Sequence, residues 1–112
     1  MRRGEVVVVD WPFSDRTGSK LRPAVVVQAD LLNGLIDDTV LVAVTSRSRL
    51  AGTEVLLDST TENASGLSHR SYAVCNALLT LDQALVHHTL GVLSDAAMQA
   101  IADRIKAALE LP

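Results

Sequence analysis

Hydrophobic residues up to about position 93 form short β-branched runs, separated by polar segments that contain Gly, Pro, Asn or Asp. Runs of this length between turn-forming residues are typical of strands. The pattern predicts six strands, at 4–11, 23–29, 39–45, 54–57, 71–75 and 88–93, with loops or turns at 12–22, 30–38, 46–53 and 58–67. Several runs are continuously apolar rather than alternating, which predicts strands that are covered on both faces.

The end of the chain has a different period. Apolar residues recur there at helical spacing on one face, at Ala97, Met98, Ile101, Ile105, Ala108 and Leu109. Gln99, Asp103 and Lys106 fall on the opposite face, and Ser94 fits an N-cap. The whole pattern predicts a mainly β fold with a C-terminal helix at 94–110. About six short strands form a small, strongly bent sheet or barrel, in a single domain of residues 1–112.

The composition fits a protein that has one small hydrophobic core and resides in a reducing compartment. Hydrophobic residues make up 48% of the 112 residues and aromatic residues only 3%, so Val, Leu, Ile and Ala must fill the core. The single cysteine, Cys75, lies in an apolar strand pattern, where a thiol behaves as a small hydrophobe, and it excludes an internal disulfide. The apolar run at 6–9 is too short for a signal peptide or a membrane span, which predicts a cytoplasmic protein without membrane attachment.

Formal charge argues against a general nucleic-acid binder, because ten basic residues face thirteen acidic ones and the net charge is −3. The balance is uneven, however: residues 1–50 hold seven basic and six acidic residues, and residues 51–112 hold three and seven. No phosphate-binding loop or nucleophile elbow is present. No spacing resembles a zinc site among the available ligands His69, His87, His88 and Cys75, so we predict no metal and no cofactor.

Basic residues in the predicted loops are the remaining candidates for chemistry. They are Arg16, Lys20, Arg22, Arg47, Arg49 and Arg70. Arg22 stands at a loop–strand junction directly before Pro23, and Thr45 and Ser46 end the third strand. Arginine binds phosphate in a planar, bidentate manner and hydroxyls add hydrogen bonds. The residues themselves leave two interpretations open, a phosphate-directed site or an ordinary solvated surface.

Almost the whole chain resembles the MazF/PemK toxins of bacterial toxin–antitoxin pairs. The resemblance rests on the order and spacing of several short segments, which are RGEVV at 3–7, WPFSD at 11–15, KLRPAVVV at 20–27, VAVTS at 42–46, TLD at 80–82, GVLS at 91–94 and the final helix. It implies an SH3-like barrel, usually a homodimer, that cleaves single-stranded RNA without a metal. It also implies a cognate antitoxin whose extended segment blocks the RNA groove.

The same resemblance assigns residues to the site. The family's functional arginine before proline corresponds to Arg22, and the hydroxyl residue that ends the third strand corresponds to Thr45. We expect both to be catalytic. The expected RNA-binding residues are their neighbours Asp15, Arg16, Lys20, Ser46, Arg47, Arg49 and His69. The implied reaction is attack of a ribose 2′-OH on the adjacent phosphorus, which leaves a 2′,3′-cyclic phosphate and a 5′-OH.

The sequence departs from the family pattern at Val74, Asn76, Ala77 and Leu79. Some relatives carry a basic and then an acidic residue near this point, and the acidic residue can serve as the base. Asp15 and His69 are the candidate substitutes here. Three alternatives stay open: a catalytically weak RNA-binding homologue, a toxin of the same fold that binds DNA gyrase without chemistry, and a barrel whose apolar edge only binds a partner.

Overall fold

The computed structural model describes residues 1–49 and 52–112. It is mainly β with a C-terminal helix, as predicted. The elements in chain order are β1 (Glu5–Pro12), β2 (Ser19–Val26), α1 (Asp30–Leu35), β3 (Asp38–Thr45), β4 (Glu54–Leu57), β5 (Ser71–Asp82), a single 3₁₀ turn (Gln83–Leu85), β6 (His88–Val92) and α2 (Asp95–Ala108). Residues 50 and 51, in the predicted loop 46–53, lie outside the described residues.

The six described strands form one antiparallel sheet in the order β4-β5-β3-β2-β1-β6. The segment that follows β4 crosses to the other end of this order, where Val92 N donates to Ala64 O at 2.9 Å. The sheet therefore curls on itself as a small SH3-like barrel. Ser94 caps α2, because its Oγ accepts from Ala97 N at 3.1 Å, and α2 packs against β4 and β5.

Both faces of the central strands are buried, which confirms the interpretation of the continuous apolar runs. On β1, Val6 lies in a cluster with α2, which supplies Met98 and Ile101. Val7 and Val9 lie in a second cluster on the opposite face. Side chains on a strand alternate between faces, so a valine run fills both clusters at once.

Strand β2 begins earlier than predicted, at Ser19 rather than position 23, and it ends at Val26. Its polar first half reads as a loop from composition. Pairing with β1 makes it a strand, through partners such as Trp11↔Lys20 and Val9↔Arg22. The predicted loop–strand junction at Arg22 is therefore wrong, and this residue sits inside a paired strand.

The segment 30–38, predicted as turns, contains the short helix α1. Asn33 holds it in place: its Oδ1 accepts from Thr39 Oγ1 at 2.7 Å and its backbone carbonyl accepts from Gln83 Nε2 at 2.9 Å. Strand β5 continues to Asp82, beyond the predicted end at Cys75. Within the described residues, no helix is long and apolar enough to cross a membrane.

Candidate functional site

Arg22 and Thr45 lie on one face of the sheet at the same end of β2 and β3. Ala24 and Leu41, on these two strands, belong to the second apolar cluster, and the alternation of side chains puts Arg22 and Thr45 on that face as well. Continuing the observed register Ala24↔Ala43 by two positions sets Arg22 opposite Thr45. Both side chains are partly buried.

The β2–β3 ladder ends where a proline removes a donor. Val27 N donates to Val40 O on β3 at 3.0 Å. Because every second amide of a strand faces the same neighbouring strand, the backbone nitrogen of residue 23 also faces β3. Pro23 has no N–H to donate there, and the pairing stops at Ala24–Ala43. Beyond this pair, a cavity lies between the two strands.

Three adjoining cavities make up what we call the groove. The first, of about 340 Å³, lies between the ends of β2 and β3 and residues 66–71. The second, of about 220 Å³, shares Arg22 and Thr45 with the first. The third, of about 650 Å³, shares residues 11–14 and Ala77 with the second. The groove thus runs from His69 past Arg22 and Thr45 to the loop after β1.

Positive and neutral side chains line the groove. Its basic residues are Lys20, Arg22, Arg49 and Arg16, and it also contains His69. Among the residues that the structure describes, no Asp or Glu lines any of the three cavities. The ion pairs formed within residues 1–49 and 52–112 are Arg70–Asp58 and His87–Asp10, and neither involves a groove cation. The groove is therefore a local concentration of basic side chains on an acidic protein.

The hydroxyl of Thr45 is held by the loop that follows it. Arg47 N donates to Thr45 Oγ1 at 3.3 Å, and this bond leaves the hydroxyl hydrogen available to a ligand. Glu54 anchors the same loop, with Oε1 accepting from Ser48 Oγ and Oε2 from Arg49 N, each at 2.8 Å. Arg47 itself does not line the three cavities, whereas Ser46 lines the first.

A closed hairpin loop carries Arg16. Phe13 N donates to Gly18 O at 2.8 Å and Arg16 N to Phe13 O at 2.9 Å. Asp15 shapes this loop and does not line the groove: its carboxylate accepts from Thr17 N at 3.0 Å and from Thr17 Oγ1 at 2.8 Å. These bonds hold the pKa of Asp15 below its usual range.

His69 is carried by a segment that is fixed on both sides. Gly66 leaves no room for a Cβ, which would lie 2.2 Å from Leu90 O on β6. On the other side, Ser71 Oγ donates to His69 O at 3.0 Å. The backbone of this segment is thereby pinned next to the ends of β2 and β3.

The four departures from the family pattern all line the groove. The register between β3 and β5 shifts between Val42 and Ala43, so that three extra residues of β5 form a bulge. The bulge places Val74 and Ala77 in the second cavity and Asn76, Ala77 and Leu79 in the third. Because these side chains are apolar or amide, this wall of the groove supplies no charge.

Some groove residues were missed by the sequence analysis. Trp11 and Phe13 line the second and third cavities, and Phe13 is 41% exposed. An aromatic residue inside a segment predicted to be a polar surface loop is the signal that could have found Phe13, because aromatic side chains at the surface can stack on bases.

Other reactive residues lie elsewhere. Cys75 is fully buried in the first cluster, and burial raises the pKa of its thiol to about 11. His87 pairs with Asp10 at 3.1 Å outside the groove, and His88 is exposed on β6. In the described part of the chain, no three His, Cys, Asp or Glu side chains are grouped to hold a metal ion.

A curled antiparallel sheet with a C-terminal helix is also the fold of solved toxin structures. The family model described as PemK-like, MazF-like toxin of type II toxin–antitoxin systems matches residues 2–109. The chain belongs to this family.

Solved structures of similar fold support the assignment. A mycobacterial endoribonuclease, solved in complex with its cognate antitoxin, is 25% identical with a TM-score of 0.83, over 100% of this chain and 97% of that one. The Mycobacterium tuberculosis toxin MazF-mt6 is 19% identical with a TM-score of 0.74, over 95% and 98% of the two chains. A MazE–MazF structure from Deinococcus radiodurans is 20% identical with a TM-score of 0.77, over 100% and 98%.

Proposed function

We propose that this toxin is a sequence-specific, metal-independent endoribonuclease that cleaves single-stranded RNA in the groove. The observation that carries the proposal is the combination of four basic side chains without ion-pair partners and no described carboxylate along three adjoining cavities. Phosphodiesters place one negative charge on every nucleotide, and a groove of this kind attracts a chain of them.

Arg22 and Thr45 are the proposed catalytic residues. The O2′ atom attacks the adjacent phosphorus, the P–O5′ bond breaks, and the products are a 2′,3′-cyclic phosphate and a 5′-OH. Negative charge grows on the phosphoryl oxygens during this step. Arg22 is a partly buried residue with no carboxylate partner among the described residues, and its guanidinium is suited to stabilise this charge. The Thr45 hydroxyl is free to donate to a phosphoryl oxygen.

Lys20, Ser46, Arg49 and Arg16 are proposed to bind RNA phosphates, because each lines the groove, and His69, which lines it as well, is proposed to contact the ribose. For Asp15 and Arg47 we propose indirect parts, the first shaping the loop that presents Arg16 and the second orienting Thr45 through its backbone. The toxin is proposed to form a homodimer, so that two grooves contribute to RNA binding.

The same groove accounts for neutralisation. An antitoxin segment rich in Asp and Glu would compete with RNA phosphates for the basic side chains. The endoribonuclease of 25% identity was solved with its cognate antitoxin, which supports a cognate antitoxin as partner here. The alternative, a toxin that binds DNA gyrase without chemistry, does not require a cavity that joins an unpaired arginine to a hydroxyl.

Incubation of the purified protein with mixed-sequence RNA in the presence of EDTA tests the proposal. We expect defined fragments that end in 2′,3′-cyclic phosphate. Replacing Arg22 with Ala should slow cleavage by ~10²–10³-fold. The matched control is Arg104→Ala on α2, an exposed arginine outside the groove, which should cleave at the normal rate.

Circular dichroism on each variant establishes that the fold is intact. Intact RNA together with inhibited gyrase would refute the ribonuclease proposal. Full cleavage by a folded Arg22→Ala variant would remove Arg22 from the mechanism.

A further inference from the structure

The proposed reaction needs an acceptor for the proton of the attacking 2′-OH. Arginine cannot serve, because it keeps its proton above pH ~12. A carboxylate is the usual alternative, yet none of the described Asp or Glu residues lines the groove. By the resemblance to the family, Asn76 stands where some relatives carry an acid, and its amide cannot accept a proton near neutral pH.

The side chain that most often serves as a general base is imidazole. His69 supplies one in the groove, since it lines the first cavity together with Arg22 and Thr45. Within residues 1–49 and 52–112, its ring makes no hydrogen bond or ion pair, and the residue is exposed. Both ring nitrogens are therefore open to a bound substrate.

We propose that His69 is the general base of this ribonuclease. This inference rests on the proposed function and adds the residue that the implied mechanism lacks in this chain. A ring nitrogen of His69 takes the proton of the 2′-OH while O2′ forms its bond to phosphorus. The P–O5′ bond breaks with its electron pair on O5′, which takes a proton from water, and the imidazolium returns its proton to solvent.

The geometry separates His69 from the other candidate base, Asp15. The Asp15 carboxylate is turned into its own loop, where Thr17 supplies two hydrogen bonds, and it does not line the groove. These bonds stabilise the carboxylate and make it a weaker base. Cys75 is excluded as well, because it is buried in the apolar core.

The charges around His69 suit a base that acts on a phosphodiester. Lys20 and Arg22 line the same cavity. Next along the chain, Arg70 pairs with Asp58 at 3.8 Å and does not line this cavity. Lys20 and Arg22 hold the phosphate near the ring, and proximity of this kind is what general base catalysis needs first.

The test compares His69→Asn and His69→Gln with the wild type in single-turnover cleavage of an RNA of known cleavage site. We expect both variants to lose ~10²–10⁴-fold in rate. Binding of the same RNA carrying a 2′-deoxy residue at the cleavage position should stay within about threefold. His88→Asn is the matched control, because His88 is exposed and lies outside the groove, and it should cleave normally.

The pH dependence distinguishes a base from a binding residue. The wild-type rate should rise about tenfold per pH unit on the acid side and then level off, and both His69 variants should lack this acid limb. Added imidazole should partly restore cleavage by His69→Ala but not by Arg22→Ala.

Two results would overturn the inference and leave the proposed function intact. In the first, the wild type cleaves RNA, and the His69 variants cleave it at the normal rate or keep the acid limb of the pH profile. The other is a rate loss that is matched by an equal loss of binding. A wild type that does not cleave RNA refutes the proposed function, and the inference with it.

Discussion

Arg22 is partly buried on the face of the sheet that carries an apolar cluster a few residues further along, and it has no carboxylate partner among the described residues. The stem of an arginine can pack against apolar neighbours while its charged head stays accessible, and Arg22 lines two of the cavities of the groove. A guanidinium offers planar, bidentate donors that match a phosphate. The site is therefore suited to an anionic chain.

Cys75 provides a test of the core at the scale of one residue. Its side chain is fully buried, and the pKa of its thiol is raised to about 11. Because the thiolate is the reactive form, we expect iodoacetamide at pH 8 to label the folded protein at least ~10²-fold more slowly than the protein in urea. Rapid labelling of the folded chain would show that this part of the core opens readily.

The same thiol makes stability depend on pH. The unfolded state releases the proton near pH ~8.5 and the folded state only near about 11, so the folded state binds the proton more tightly. The contribution of the thiol is complete below the lower value and is lost as pH rises through the higher one. Urea titrations measure the free energy of unfolding of the wild type and of Cys75→Ala. The difference between the two values should decline between these pH values and stay constant between pH 6 and 8.

Whether the sequence could predict the position of a site residue depends on where the residue lies. On a strand, the alternation of side chains decides which face each side chain occupies. The sequence identified Arg22 and Thr45, which are set by the sheet, and the structure brings them together in one cavity. Asp15 and Arg47 lie in loops, where backbone hydrogen bonds decide the direction of each side chain. Composition carries no information about those bonds.

Two close contacts fasten the segment that carries His69 to β6. A Cβ on Gly66 would lie 2.2 Å from Leu90 O, and one on Gly91 would lie 2.1 Å from Ala64 O. Gly66 also has a φ of +74°, which L side chains rarely adopt. The position of the segment that carries His69 therefore requires glycine at residues 66 and 91.

We expect Gly66→Ala to destabilise the protein by more than ~1–2 kcal/mol, the cost of the backbone conformation alone. The Cβ must also push residues 66–71 away from β6, so RNA cleavage should slow further than the loss of folded protein explains. Urea unfolding and cleavage at a temperature where the variant is folded measure the two effects.

Gly34→Ala is the matched control. No atom lies within 4 Å of a Cβ built there, and the position is in α1, so the change should stabilise the protein by up to ~1 kcal/mol. Equal effects of the two substitutions would contradict the role of the close contact.

The elements that the sequence mispredicted are those that depend on distant partners. Residues 19–22 are polar, and β1 makes them a strand. Helix α1 depends on Gln83, about fifty residues away, which caps it at Asn33 O and Ile36 O. Strand β5 crosses a bulge at 75–77 that interrupts its apolar pattern. In contrast, the period of α2 is local, and its predicted bounds were close.

At the scale of the whole molecule, a net charge of −3 coexists with a groove that has no described carboxylate. The acidic residues of the second half of the chain lie elsewhere, some at the start of α2 and in the 58–62 segment. Overall repulsion should weaken non-specific binding to duplexes, while the groove still attracts one RNA strand.

The steepness with which RNA affinity falls with salt should therefore be set by the number of basic side chains in the groove and not by the net charge of the protein. With four basic side chains along one groove and a slope of about −0.7 per neutralised phosphate for single strands, log K against log salt should fall with a slope near −3. Lys20→Gln and Arg49→Gln should each make this slope shallower by ~0.7, because each removes one phosphate contact.

The control for this experiment is Arg104→Gln, which changes the net charge by the same amount at an exposed position on α2. If the overall charge governed binding, all three variants would lose affinity alike. If the groove governs it, the Arg104 variant keeps the wild-type slope. Fluorescence anisotropy with a non-cleavable RNA between 50 and 300 mM salt distinguishes these two cases. If Lys20→Gln and Arg49→Gln left the salt slope unchanged, the RNA would bind on another surface.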